Sequence, residues 1–377
     1  MSDAWSTAYL AALSGPDDTP PFLPSSRTFS SQTVRQVVRL RRGGTAVRLV
    51  LSNEFGRVPL VIDEVTVSDP GGRFVTPAPR DSDARWQIPA GATATSDPIP
   101  VPIAAGDELV VSCFVADPTG SAAYLHSAQR TGEVAPGNQL HRRHLADAER
   151  FASLYWISRV LVDTPPTGPV IVALGDSITR GDGTTIDAEQ RYPDHLQRRL
   201  SVAGFDGAAV LNAGLGGNGL LVGPVGPAMV DRFTRDVLGV ADATHVLIMG
   251  GLNDIAGRLP AGGRPLAAAD LVEGLFGLAR RARQHGIQPV LGTITPCAGS
   301  SYESFRADGV DDMRRAVNEA LAAQRDWPVV NFAAAVADEN DPRRLAAPFD
   351  SGDGVHPGDA GHRALADAVD LTVFKTS

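Results

Sequence analysis

A serine, Ser177, and a carboxylate–histidine pair, Asp353 and His356, stand out as a potential nucleophile, orienting group and base. Ser177 sits in VIVALGDSITRG (170–181), just beyond an apolar run, Val170 to Leu174, that ends at Gly175. A serine hydroxyl is a poor nucleophile until a neighbouring base takes its proton. That base is expected to be a histidine steered by a carboxylate, which holds the ring's tautomer and stabilises the imidazolium. Of the eight histidines, His356 lies three residues after Asp353 in the glycine-rich stretch SGDGVHPGDAG (351–361). A carboxylate three residues back in a tight turn can reach the Nδ1 side of the ring. Pro357 fits the first position of a helix. The N-terminus of such a helix would disfavour the imidazolium and Asp353 would offset this, leaving His356 neutral at rest and a base near neutral pH.

Acyl transfer also needs donors aimed at a developing oxyanion. Ser177's own backbone N–H is one candidate. The turn GLGGN (214–218) offers a closely approaching backbone N–H at Gly216 or Gly217, and GLND (251–254) offers the Asn253 amide. The order Ser…Asp…His with GDS at the nucleophile differs from a G-x-S-x-G elbow.

The elements that must position these groups follow from the hydrophobic pattern. A short apolar run ended by glycine reads as a strand buried on both faces of a parallel sheet, and ligands of such sheets bind beyond the strands' C-terminal ends. After residue 170 the pattern alternates strand and helix. Strands are expected at Val170–Leu174, Ala208–Asn212, His245–Met249, Pro289–Thr293 and Val329–Phe332. Leu271, Val272, Leu275, Phe276, Leu278, Ala279 and Ala282 mark one helix face, and a last helix is expected from Pro357 to about Leu371. This predicts a three-layer α/β/α domain on a flavodoxin-like parallel sheet. Before it, β-rich runs between turn signals (35–40, 46–52, 59–67, 107–115 and 154–162) suggest an antiparallel, jelly-roll-like β-sandwich. The expected division is residues 1–163 for the β domain, with about the first 27 irregular, a proline-rich linker at 164–169, and a catalytic domain at 170–377.

At 377 residues two domains are the prior. A net charge of −9 disfavours a nucleic-acid surface or an anionic membrane. Arg39, Arg41 and Arg42 read as a solvated strand face. No apolar run is long enough to span a membrane. The N-terminus lacks the basic and apolar regions of a signal peptide, so the expectation is a cytoplasmic protein unless a leader has been removed. Cys113 reads as a small core residue. Its pairing with Cys297 is unsupported, and no spacing suggests zinc or another metal. Ser–His chemistry requires no cofactor.

Each candidate has a plainer counterpart. Ser177 could be only a helix N-cap, Asn253 a turn residue, Gly217 a positive-φ turn glycine, Asp254 a cap or a solvated residue, and His356 a helix-start histidine. His362 reads as structural. His126 could approach the site or be an ordinary histidine. Gly214–Gly219 fits G-x-G-x-x-G, but LLVGPVGP follows it where a dinucleotide site needs a helix.

GDSIT (175–179), NAGLGG (212–217), GLND (251–254) and DGVH (353–356) resemble, in order, the four blocks of the SGNH (GDSL-type) hydrolases, over roughly residues 168–375. The resemblance implies Ser177 as nucleophile, His356 as base with Asp353 its partner, and Ser177, Gly217 and Asn253 as oxyanion donors. TVRQVVRLRRGGTAVRLVLSNEFG (33–56) resembles the β-rich domain of bacterial two-domain members described as acyl esterases, some acting on carbohydrate esters. The expected function is a serine esterase for short-chain acyl esters, with a small-molecule or carbohydrate ester as substrate and an acyl-enzyme intermediate. The alternatives are a lysophospholipase or thioesterase, and a non-catalytic carbohydrate-binding protein.

Overall fold

The computed structural model describes residues 5–18, 20, 23–257 and 265–375. Contacts divide the chain into two compact units that meet at the Pro166–Thr167 junction.

The N-terminal unit is built on antiparallel sheets. One sheet runs, in spatial order, Glu149–Phe151, Gly132–Pro136, Gln32–Arg39, Glu108–Val115, Glu64–Ser68, Val75–Pro77. Another runs Ser6–Leu10, Ile157–Val162, Val47–Ser52, Thr93–Thr95. The period-two alternation is visible in Gln32–Arg39, where Val34, Gln36 and Val38 are buried. Cys113 is a fully buried free thiol in the central strand, as its alternation implied.

Three local expectations fail here. Ser6–Leu10, within the first 27 residues expected to be irregular, is a strand paired with Ile157–Val162. Its partner lies about 150 residues away, beyond the reach of any local pattern. The runs 59–67 and 154–162 are each broken, at Asp63 and Trp156. Leu60–Ile62 pairs with Trp86–Ile88, whereas Glu64–Ser68 joins the larger sheet. Leu154–Tyr155 pairs with Tyr124–Leu125, and Trp156 then turns through φ 62° into Ile157–Val162. Alternation continues through such switches between sheets, so sequence reads them as one strand. The basic run is not a solvated face either: Arg42 is buried, and Arg39 pairs with Glu108 at 2.7 Å.

The C-terminal unit holds five parallel strands: Val170–Gly175, Ala209–Gly214, His245–Met249, Gln288–Gly292 and Val329–Val330. The second strand lies outside the first, and the third, fourth and fifth follow on its other side. This is the flavodoxin-like order, whose ligand crevice opens between the first and third strands. Gly175 is in register with Gly214 on one side and Met249 on the other. The three strands therefore end level, and the segments that follow them leave from one edge. The helix expected around Leu271 spans Ala268–Gln284 and buries Leu271, Leu275, Leu278, Ala279 and Ala282. The last helix is shorter than expected, Asp359–Asp367, with Gly358 as its N-cap, so Pro357 is not its first residue. Among the described residues, no helix is long and apolar enough to cross a membrane.

Gly175 marks the tightest point of this edge. A Cβ there would collide with Thr179 Oγ1 and come within 2.8 Å of the Met249 carbonyl. Gly175→Ala should cost about 1–3 kcal/mol in denaturant unfolding. Gly277→Ala, in a helix interior where the nearest atom is 3.9 Å away, should instead gain roughly 0.5–1 kcal/mol.

Candidate active site

The first strand delivers the serine through a one-residue turn. Asp176 caps the four-residue helix Ser177–Arg180, its Oδ1 accepting from the Ile178 N–H at 3.0 Å. The cap is therefore Asp176 and not Ser177, which leaves the Ser177 hydroxyl available. Ser177 is only 8% exposed. Burial pushes the Asp176 carboxyl up to about 6, against the Ile178 N–H bond and the charge of His356.

The loop 353–356 holds His356. Asp353 Oδ1 accepts from the backbone N–H groups of Val355 (2.9 Å) and His356 (2.8 Å), and Oδ2 accepts from His356 Nδ1 at 2.6 Å. One carboxylate thus shapes the turn and orients the ring. The Ser301 N–H donates to the Asp353 carbonyl at 2.7 Å and anchors the loop from outside. With Nδ1–H committed to Asp353, Nε2 is the acceptor for the Ser177 hydroxyl, at 2.9 Å. Burial opposes the imidazolium, but the Asp353 hydrogen bond and the charges of Asp182, Asp353 and Asp176 outweigh it. The His356 pKa lies above the ordinary 6.5 as a result. Burial likewise opposes the Asp353 carboxylate, and the bond to His356 overrides it, taking that group down to about 2.

Sequence reasoning passed over Asp182. Its Oδ2 lies 4.0 Å from His356 Nε2, and its carboxylate takes the Arg180 guanidinium through Nε (2.8 Å) and Nη2 (2.6 Å). Arg180 is buried, and its guanidinium fills the space where Gly216 would carry a side chain. The helix bearing Ser177 and the GLGGN turn thereby pack directly. Gly217 adopts φ 70°, the conformation that favours glycine.

Asn253 lies in the helix Leu252–Gly257 after the third strand, and its Nδ2 donates to the Asn218 carbonyl at 3.0 Å. An amide nitrogen has two hydrogens; this bond uses one and sets the direction of the other. Asn218 is buried, donating to the Val225 (2.7 Å) and Pro227 (2.8 Å) carbonyls and accepting from Arg232 Nε at 2.9 Å. Asp254 is neither a cap nor solvated. It is fully buried and clamps the segment after GLGGN through the N–H groups of Leu220 (2.6 Å), Leu221 (2.9 Å) and Val222 (3.3 Å).

The structure thus joins Ser177, His356 and Asp353 by hydrogen bonds. It ties Asn253 to the turn that carries Gly217 through Asn218, rather than to Ser177 itself. His362 is structural: its Nδ1 accepts from the Tyr192 N–H at 3.1 Å, and burial takes its pKa down to about 4. His126 is buried beside Tyr124 within the N-terminal unit. Cys297 is free and buried. Besides Asp182, sequence reasoning missed Asn218, Arg232 and Asp254 as site-building residues. Arg232 and Asp236, four residues apart on a helical stretch, look in sequence like a surface ion pair.

A family model described as the GDSL-like lipase/acylhydrolase family matches residues 173–364, a span that includes Ser177, Asn253, Asp353 and His356. Among solved structures, TesA is 25% identical, covering 55% of this chain and 98% of its own, with a TM-score of 0.41. The lipase/acylhydrolase from Enterococcus faecalis is 23% identical, covering 53% and 92%, with a TM-score of 0.40. A carbohydrate acetylesterase family member from Sinorhizobium meliloti is 21% identical, covering 54% and 97%, with a TM-score of 0.41. No curated protein sequence matches the chain. The C-terminal unit has the SGNH hydrolase fold, with its five-stranded parallel sheet, and the N-terminal unit is β-rich with antiparallel sheets. With the matched span covering just over half of its length, the chain belongs to the GDSL-like lipase/acylhydrolase family.

Proposed function

We propose that the protein is a serine esterase that hydrolyses short-chain acyl esters, acetyl esters first among them, with a carbohydrate as the leaving alcohol. The observation that carries the reading is the relay from Ser177 Oγ to His356 Nε2 (2.9 Å) and from His356 Nδ1 to Asp353 (2.6 Å). Ser177 Oγ attacks the ester carbonyl while His356 takes its proton. The negative charge moves to the carbonyl oxygen, and the N–H groups of Ser177 and Gly217 and the Asn253 amide receive it. As the tetrahedral intermediate collapses, His356 gives its proton to the departing alkoxide and an acyl-Ser177 ester remains. Water then attacks with His356 as base. The acid leaves and the proton returns to Ser177.

Two features support a polar, ring-shaped alcohol. One is the Asp182 carboxylate. The other is Tyr302, which is 49% exposed, packs against Phe305 at 6.1 Å between ring centroids, and has its hydroxyl pKa raised by burial and by the charges of Asp353 and Asp182. An exposed ring offers a stacking face for a sugar.

With p-nitrophenyl esters from acetyl to dodecanoyl, wild type should turn over the short esters fastest, and Ser177→Ala should lose at least about 10⁴-fold in kcat. A fluorophosphonate should label Ser177. A rate that rises with chain length points instead to a lysophospholipase or thioesterase, and equal or absent turnover and labelling in both proteins to a carbohydrate-binding protein. Tyr302→Ala should raise KM for an acetylated xylo-oligosaccharide roughly three- to tenfold while leaving KM for ethyl acetate unchanged. Because the base must be neutral, kcat/KM should rise with pH through the His356 pKa, above 6.5. Asp182→Asn removes one of the charges that hold that pKa up, so the acid limb should move to lower pH. A limb that stays or moves upward excludes this role for Asp182.

A further inference from the structure

Arg232 has no part in the relay, yet it bonds to the ends of the strands that lead to Ser177 and Gly217, and to Asn218, whose carbonyl takes the Asn253 amide. It lies on the short helix Met229–Phe233, and its side chain is fully buried. Nη2 donates to the Gly175 carbonyl (2.8 Å), Nη1 to the Ala213 carbonyl (2.8 Å) and to Asp236 Oδ2 (2.8 Å), and Nε to Asn218 Oδ1 (2.9 Å). Gly175 ends the strand that delivers Ser177. Ala213 lies at the end of the strand that leads into the Gly217 turn. Asn218 closes that turn, and its carbonyl orients the Asn253 amide. A single rigid, planar donor set therefore ties the ends of two neighbouring strands to the turn that follows the second of them.

Burying a cation costs free energy that an apolar side chain of the same volume would avoid. What the guanidinium supplies in return is direction: donors in a fixed fork that a flexible ammonium cannot reproduce. Donors to an oxyanion must be held to within about 0.5 Å, and here they come from separate loops. Asp236 balances the charge and also accepts from Arg235 Nε at 2.6 Å, so it is held in turn.

We propose that Arg232 is the positioning residue of the oxyanion hole: it sets the Gly217–Asn218 turn against the Ser177 turn and, through Asn218, aims the Asn253 amide. This rests on the reading of the site as a serine esterase with Asn253 as an oxyanion donor.

The test is a double-mutant cycle of Arg232→Lys and Asn253→Ala, read on p-nitrophenyl acetate. Arg232→Lys keeps the charge and loses the fork. It should lower kcat about 10- to 100-fold, leave KM within about twofold, and leave the acid limb of the pH profile in place, because Asp353 and His356 are untouched. In the Asn253→Ala background the same change should cost less than about threefold, since the amide it aims is gone. Should Arg232→Lys not fold, the isosteric Asp236→Asn replaces it in the same cycle, with a smaller loss of kcat and the same non-additivity. Full kcat in a folded Arg232→Lys, or losses that multiply in the double variant, overturns the role of Arg232 and leaves the esterase reading standing. Unchanged kcat in Asn253→Ala overturns the oxyanion assignment itself, and this inference with it.

Discussion

The chemistry of this molecule depends on the register of three parallel strands. Gly175 pairs with Gly214 on one side and with Met249 on the other, so three strand ends stop at the same level. A shift of one residue in a ladder moves every side chain to the opposite face. Here it would also separate the Ser177 turn from the GLGGN turn and from the helix carrying Asn253. Burial enforces the register: Val170 to Leu174, Ala209 to Leu211 and Val246 to Ile248 are almost wholly inaccessible. With both faces buried, a slip would set side chains against partners of the wrong size, and overpacking alone costs about 1–3 kcal/mol.

The second constraint is electrostatic. Asp176, Asp182, Asp254 and Asp353 surround the site, and burial raises the pKa of Asp176 and of Asp254. Such a density of carboxylates is tolerable only because each has a defined donor. Asp176 takes the Ile178 N–H, Asp182 the Arg180 guanidinium, Asp254 three backbone N–H groups and Asp353 the His356 ring. Asp353, Asp182 and Asp176 together give a histidine that holds a proton more firmly than usual. That suits the proposed base, which would accept a proton from Ser177 and keep it until the leaving oxygen is ready.

Backbone groups do much of the shaping. Asp353 spends one oxygen on its own turn and one on His356, so the loop cannot change shape without disturbing the ring. Asn253 and Asp254 are adjacent in sequence and divide the work. The amide holds the Asn218 carbonyl, and the carboxylate holds Leu220, Leu221 and Val222. The GLGGN turn is thus gripped at Asn218 and immediately beyond it, which leaves Gly217 at φ 70° with little freedom to drift.

Sequence alone determined what depends on local pattern. Apolar runs ended by glycine marked the parallel strands to within a residue or two, and the period of Leu271 to Ala282 marked its helix. The cluster of Ser177, Asp353 and His356 was legible because a serine at a strand end and a carboxylate three residues before a histidine are short-range signals. Only the tertiary structure decided which charged residues are buried and what they hold. Arg232 reaches Gly175 across 57 positions, and Asp254 reaches Leu220 across 34. In sequence Arg232 carries no such signal, and Asp254 reads as a cap or a solvated residue. The same reason hid the strand Ser6–Leu10, whose pairing spans nearly the whole N-terminal unit, and joined strands that break at Asp63 and Trp156. Hydrophobic period reports whether a residue faces inward. The partner it meets there is set by where distant segments come to rest.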